Sequence, residues 1–179
     1  EDISDFQIEG VSIGDSLLDY FSKDFIKKNT DDNFYSYLKD PHRYKELYLV
    51  DYDDQRNYHL DNYHVLRILY KKQNSNYIIH GLAGQIVYEK KSQICNSERN
   101  KIINEFEQMF INLEKQGPNV ESHIYDKTGK SKVDNISFWF DNNDVVLVSC
   151  YYWSDEIDYF DNLKIQLFRD DLNLRLVGE

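Results

Sequence analysis

The chain has 179 residues, ordinary for one domain, and we expect residues 1–179 to fold as a single domain. It is 41% hydrophobic and 15% aromatic, which excludes a disordered tail, and no apolar run approaches the roughly 18 residues of a membrane-spanning helix. Its 32 acidic side chains against 21 basic ones give a net charge of −11, a field that repels a phosphate backbone and excludes nucleic acid as an expected partner.

Residues 6–14 read as a short strand and turn. Ser16 with Asp19 three residues on forms a capping-box variant, and Leu17, Leu18, Phe21 and Phe25 recur at helical spacing, predicting a helix from Ser16 to Lys28. Segment 29–46 mixes a short helix with loop around Asp40-Pro41, and a strand is expected over Lys45–Tyr52. Tyr63–Lys71 and Tyr77–Tyr88 pattern as the arms of a hairpin about residues 73–76. The clearest helix starts at Ser97, carries the stripe Ile102, Ile103, Phe106, Phe110 and Leu113, and ends at the Gly117-Pro118 stop signal, so it is expected over 97–114. Beyond it the period switches to two. Strands are expected over Val120–Asp126, Val133–Phe140, Asp144–Trp153, Leu163–Phe168 and Leu172–Val177, with Asn142-Asn143 as a hairpin loop. The fold class is α+β, an antiparallel sheet of about five to seven strands with two main helices packed on it.

Cys95 and Cys150 carry no Cys/His spacing of a zinc site, which leaves two buried thiols or one disulfide clamping helix to sheet. His64 and His80 fall on hairpin arms with an offset of roughly 13 Å, too far for one metal or a dyad. His59 and Asp61 share a strand face without an identifiable further ligand. Acids cluster at 31–32, 51–54, 155–158 and 170–171; the segment from Asp51 lacks the sixth-position glycine and twelfth-position glutamate of a calcium loop, and the clusters read as a solvated acidic surface. No nucleophile elbow, dinucleotide fingerprint or phosphate loop is present, so no catalytic residue, cofactor or metal ligand is assigned. Aromatics are the remaining signal. Val146, Val148, Cys150 and Tyr152 share one strand face, which sends Tyr151 and Trp153 to the other, beside Asp155. Tyr151, Trp153 and Asp155 form the expected ligand or partner surface, suited to stacking on a sugar or holding a cation.

The segments Ile8-Glu-Gly10-Val-Ser12-Ile-Gly14-Asp-Ser-Leu-Leu18, Asp126-Lys-Thr-Gly129-Lys-Ser131 and Ser149-Cys150-Tyr-Tyr-Trp153-Ser154 stand beside a cysteine that precedes a long helix. Together they resemble a family of small uncharacterised exported proteins from A/T-rich bacteria, over about Ile8 to Val177. One alanine, two prolines and an excess of Asn, Ile, Lys, Asp and Tyr fit such a genome, these being residues of A/T-rich codons. The resemblance implies a signal peptide removed ahead of Glu1, a periplasmic or extracellular location and a bond between Cys95 and Cys150. It implies no activity. At Tyr152 the family more often carries an acid, so no role transfers to that side chain. The expected function is an exported binding or interaction module, non-enzymatic, for a protein or a small-molecule or saccharide ligand. The alternatives are a hydrolase using Asp/Glu carboxylates and an inhibitor-like accessory protein that docks on a basic partner.

Overall fold

The computed structural model of the chain describes residues 2–31, 44–52, 54, 56–91 and 93–172. β1 (Gln7–Ile8) and β2 (Val11–Ser12) form a small hairpin whose turn residues Glu9 and Gly10 both have positive φ. The Glu9 carboxylate accepts hydrogen bonds from the backbone N–H groups of Asp61, Asn62 and Tyr63 at 2.6–3.1 Å, tying the N-terminal hairpin to a loop more than fifty residues away.

The helix expected from Ser16 to Lys28 is two pieces. Ser16 and Asp19 make the reciprocal capping box, but around a single 3-10 turn, Leu17–Asp19. Ser22 is extended and caps a new helix, α1 (Lys23–Lys28), its hydroxyl accepting from Phe25 N. A serine that bonds local backbone offers the chain an alternative to continuing a helix, and it wins here. Leu17, Phe21 and Ile26 are buried while Leu18 turns to solvent.

β3 (Thr30–Asp31), β4 (Tyr44–Val50), β5 (Val65–Lys71) and β6 (Ile79–Tyr88) form one antiparallel meander, followed by α2 (Ile94–Met109). A second meander follows: β7 (Glu114–Ser122), β8 (Lys132–Trp139), β9 (Val145–Tyr152) and β10 (Asp161–Phe168). The two merge into one eight-stranded sheet, ordered β3-β4-β5-β6-β10-β9-β8-β7, because the last strand of each pairs with the other, from Tyr88↔Asp161 to Gly81↔Phe168. The sheet therefore exceeds the expected five to seven strands, and among the described helices only α2 is long.

Both ends of α2 differ from expectation, and the strand expected over Val120–Asp126 is β7, six residues earlier at its start and four at its end. Ser97 does not cap α2; it lies in the first turn and donates its hydroxyl to Ile94 O. Gly117-Pro118 does not end the helix, which stops at Met109, but sits inside edge strand β7 as a cis peptide at a β-bulge. Gly117 has φ +100°, and a Cβ there would stand 2.5 Å from Asn135 O, so glycine serves a bulge rather than a helix stop. Asn143 takes positive φ in the β8–β9 turn, as expected of an asparagine. Residues 170–172 are one helical turn, and the strand expected over Leu172–Val177 otherwise lies outside the described residues, as does most of segment 29–46 with His42.

One sheet face carries Leu47, Leu66, Ile68, Leu82, Ile136, Phe138, Val148 and Ile165 and packs under the N-terminal hairpin, α1 and α2. Cys95 and Cys150 are bonded, with Cα atoms 5.9 Å apart, which clamps the start of α2 to β9. Phe106 is 7% exposed, with ring centroids 4.9 Å from Phe6 and 5.6 Å from Phe138.

Strand alternation places a different set on the second face. At one end Tyr44, Leu69, Val145 and Phe168 gather around Leu172. The middle is polar and buried, with the Arg67–Glu46 ion pair, Ser137, Ser149, Gln166 and Lys164. Tyr151 and Trp153 close the other end. α1 does not cover this face, since its buried Ile26 belongs to the first.

Candidate functional site

β9 delivers Tyr151 to the second face and the chain continues to Trp153, whose backbone N–H donates to Asp161 Oδ1 at 2.8 Å. Asp161 Oδ2 accepts from Lys91 N at 2.8 Å, so one carboxylate fixes the ends of both β6 and β9. Asp126, in the β7–β8 loop, accepts from the backbone and hydroxyl groups of Ser131 and Thr128, and from Ser154 Oγ at 3.2 Å. Those hydroxyl donors hold the Asp126 carboxyl far below the usual range. Lys90 Nζ donates to Ser154 O and Ile157 O, pinning the segment after Trp153. Three charged side chains thus staple two loops and two strand ends into one frame.

On that frame five rings form a continuous shelf. His123 lies 4.5 Å from Trp153 and 5.8 Å from Tyr151, centroid to centroid, and Tyr151 and Trp153 are nearly parallel at 6.4 Å. Tyr159 meets Trp153 edge-on at 5.0 Å, and Tyr125 is 6.2 Å beyond Tyr159. The outer rings, Tyr125, Tyr159 and neighbouring Phe160, are about half exposed, whereas Tyr151, Trp153 and His123 are half-buried.

Lys164 stands at the inner margin. Its Nζ is 4.2 Å from the Tyr151 ring centroid, it is 9% exposed, and nothing hydrogen-bonds to it among the described residues. Burial, reinforced by the Arg67 charge and opposed by Glu46, pushes the Lys164 ammonium down to about 7. Directly across from it on β9 is Ser149, fully buried, its hydroxyl without a hydrogen-bond partner among the described residues. Burial and then the Lys164 charge also push His123 down, against the pull of Asp126.

Of the expected surface, Tyr151 and Trp153 come together. Asp155 does not join the rings; it is exposed and paired with Lys91 at 2.9 Å. His123, Tyr125, Tyr159 and Lys164 are additions. For Lys164 the signal was available, because Lys164 and Gln166 alternate with apolar residues along β10 and so mark a polar second face. His123 reaches Trp153 only through the loop clamp at Asp126, which local periodicity does not encode.

The other described histidines are separately occupied. His64 Nδ1 accepts from Val87 N at 2.9 Å, and His80 packs against Tyr44. His59 Nδ1 lies 2.8 Å from buried Asp51, and its Nε2 is 3.5 Å from Asp61. That pair resembles an oriented base, yet no described hydroxyl or thiol bonds to its outer nitrogen. Among the described residues no three His, Cys, Asp or Glu side chains converge to hold a metal ion. Comparison with models of known families, with curated proteins and with solved structures finds no match to this chain.

Proposed function

We propose that the protein is an exported, non-enzymatic binding module that takes a saccharide on the shelf formed by Tyr151, Trp153, His123, Tyr159 and Tyr125. The observation that carries this reading is the unbroken run of ring contacts from Tyr151 to Tyr125, held by buried hydrogen bonds and exposed at its outer end. Aromatic faces stack on the C–H faces of sugars, and a shelf already fixed in place loses little conformational entropy on binding. The Cys95–Cys150 bond is compatible with an oxidising compartment, which supports export.

The test is tryptophan fluorescence of the full chain titrated with methyl glycosides and short oligosaccharides, beside Trp153→Ala. Saturable quenching that disappears in the variant supports the reading. A wild-type protein silent to every glycoside, with Trp153→Ala merely less stable, makes the shelf a hydrophobic end-cap of the sheet and removes the proposal.

A further inference from the structure

Resting on the saccharide reading, we infer that the sugar carries a carboxylate, and that Lys164, with His123 and Ser149 beside it, is the group that receives it. Lys164 is a basic side chain more than nine-tenths buried at the edge of the shelf, resting on one of the shelf's own rings, with no hydrogen bond among the described residues. Its cross-strand neighbour Ser149 is fully buried, with no acceptor for its hydroxyl among the described residues. Buried polar groups left without partners point to a ligand or water that satisfies them. A carboxylate oxygen at the shelf's inner margin supplies the acceptor that Lys164 Nζ lacks among the described residues.

The charges facing Lys164 from each neighbouring element agree. Arg67 on β5 repels it, Glu46 on β4 attracts it but is already paired with Arg67, Tyr151 on β9 offers its ring, and His123 after β7 adds a second basic group. Both Lys164 and His123 are held towards their neutral forms by burial, and His123 additionally by Lys164. An arriving anion supplies the missing countercharge and draws a proton onto the site. A single carboxylate suits it, whereas a polyanion meets the repulsion of a chain carrying −11. A sugar ring on the shelf with its acid directed to Lys164 describes a uronic acid.

The experiment is calorimetric titration of the full chain with the methyl glycosides of glucuronic, galacturonic and mannuronic acid, each beside its neutral methyl ester. It is run at pH 8 and pH 6 in two buffers of different ionisation enthalpy. At least one acid is expected to bind about tenfold tighter than its ester, as a charge-assisted hydrogen bond implies. Proton uptake is expected at pH 8, where Lys164 is largely neutral, and little uptake from Lys164 at pH 6. Lys164→Met should abolish the preference for the acid, and Lys164→Arg should keep it while losing the proton uptake. Acids and esters that bind equally, or a preference that survives Lys164→Met, overturn the role of Lys164 and leave the shelf standing. Silence towards acids and esters alike overturns this inference together with the saccharide reading.

Discussion

Burying Lys164 costs the fold stability in a way that depends on pH. In the unfolded chain the amine keeps its ordinary range near 10.5; in the folded one it titrates near 7. Between those values the unfolded state binds more protons, so stability rises with pH across that window and the penalty is full below it. At about 1.4 kcal/mol per unit the ceiling is roughly 5 kcal/mol. Lys164→Met is therefore expected to gain a few kcal/mol at pH 6, and to flatten the rise in stability between pH 6 and pH 9. Denaturant midpoints at the two pH values measure this, and equal pH slopes in both proteins would refute it. Glu9 illustrates the opposite economy. One carboxylate satisfies three adjacent N–H donors and fastens two remote segments. Glu9→Ala leaves those donors to water, and should cost about 2 kcal/mol by chemical denaturation with the ring contacts near Trp153 undisturbed.

At the scale of elements, α2 and its underlying strands set the stability. Phe106 fills the space between Phe6, Phe110 and Phe138, and Phe106→Ala is expected to cost roughly 3–5 kcal/mol in urea unfolding. A loss under about 1 kcal/mol would mean that α2 contributes little to this core. The period-two segments Val65–Lys71, Val133–Phe140 and Asp144–Trp153 were legible in the sequence because a strand with a buried apolar face cannot slip by a residue without inverting it, whereas β7, exposed along its whole length, left no such pattern. So was the separation of Tyr151 and Trp153 from Cys150. Boundaries were harder where one residue type serves two ends: Ser16 and Ser22 are both good caps, and Gly117-Pro118 suits a bulge as well as a helix stop. The sequence motif gives the chemistry of such residues, while distant neighbours such as Asn135 decide which use is made of it.

For the whole molecule, the order of the strands was not legible, since nothing local announces that β6 pairs with β10. That seam joins two meanders, each preceded by a helix. Amide hydrogen exchange should report it: β6 and β10 are flanked on both sides and should exchange slowest, while the fully exposed edge strand β7 exchanges first. The disulfide acts on the same scale. Replacing Cys95 and Cys150 together by serine frees a 55-residue loop and should cost about 4 kcal/mol in the chain-entropy model, read as a lower denaturation midpoint.

The seam also fixes the order in which the protein can be completed as it is made. In an ordinary meander the newest strand adds to an edge, so a growing chain always presents a finished sheet with one open side. Here the final described strand enters the middle. Until Asp161–Phe168 has been synthesised, β6 and β9 each stand with a bare hydrogen-bonding edge and a half-covered apolar face, joined through α2 and the Cys95–Cys150 link. A chain cut short at residue 160 therefore loses more than a margin. It becomes two partial sheets, each offering the kind of open edge that recruits other strands.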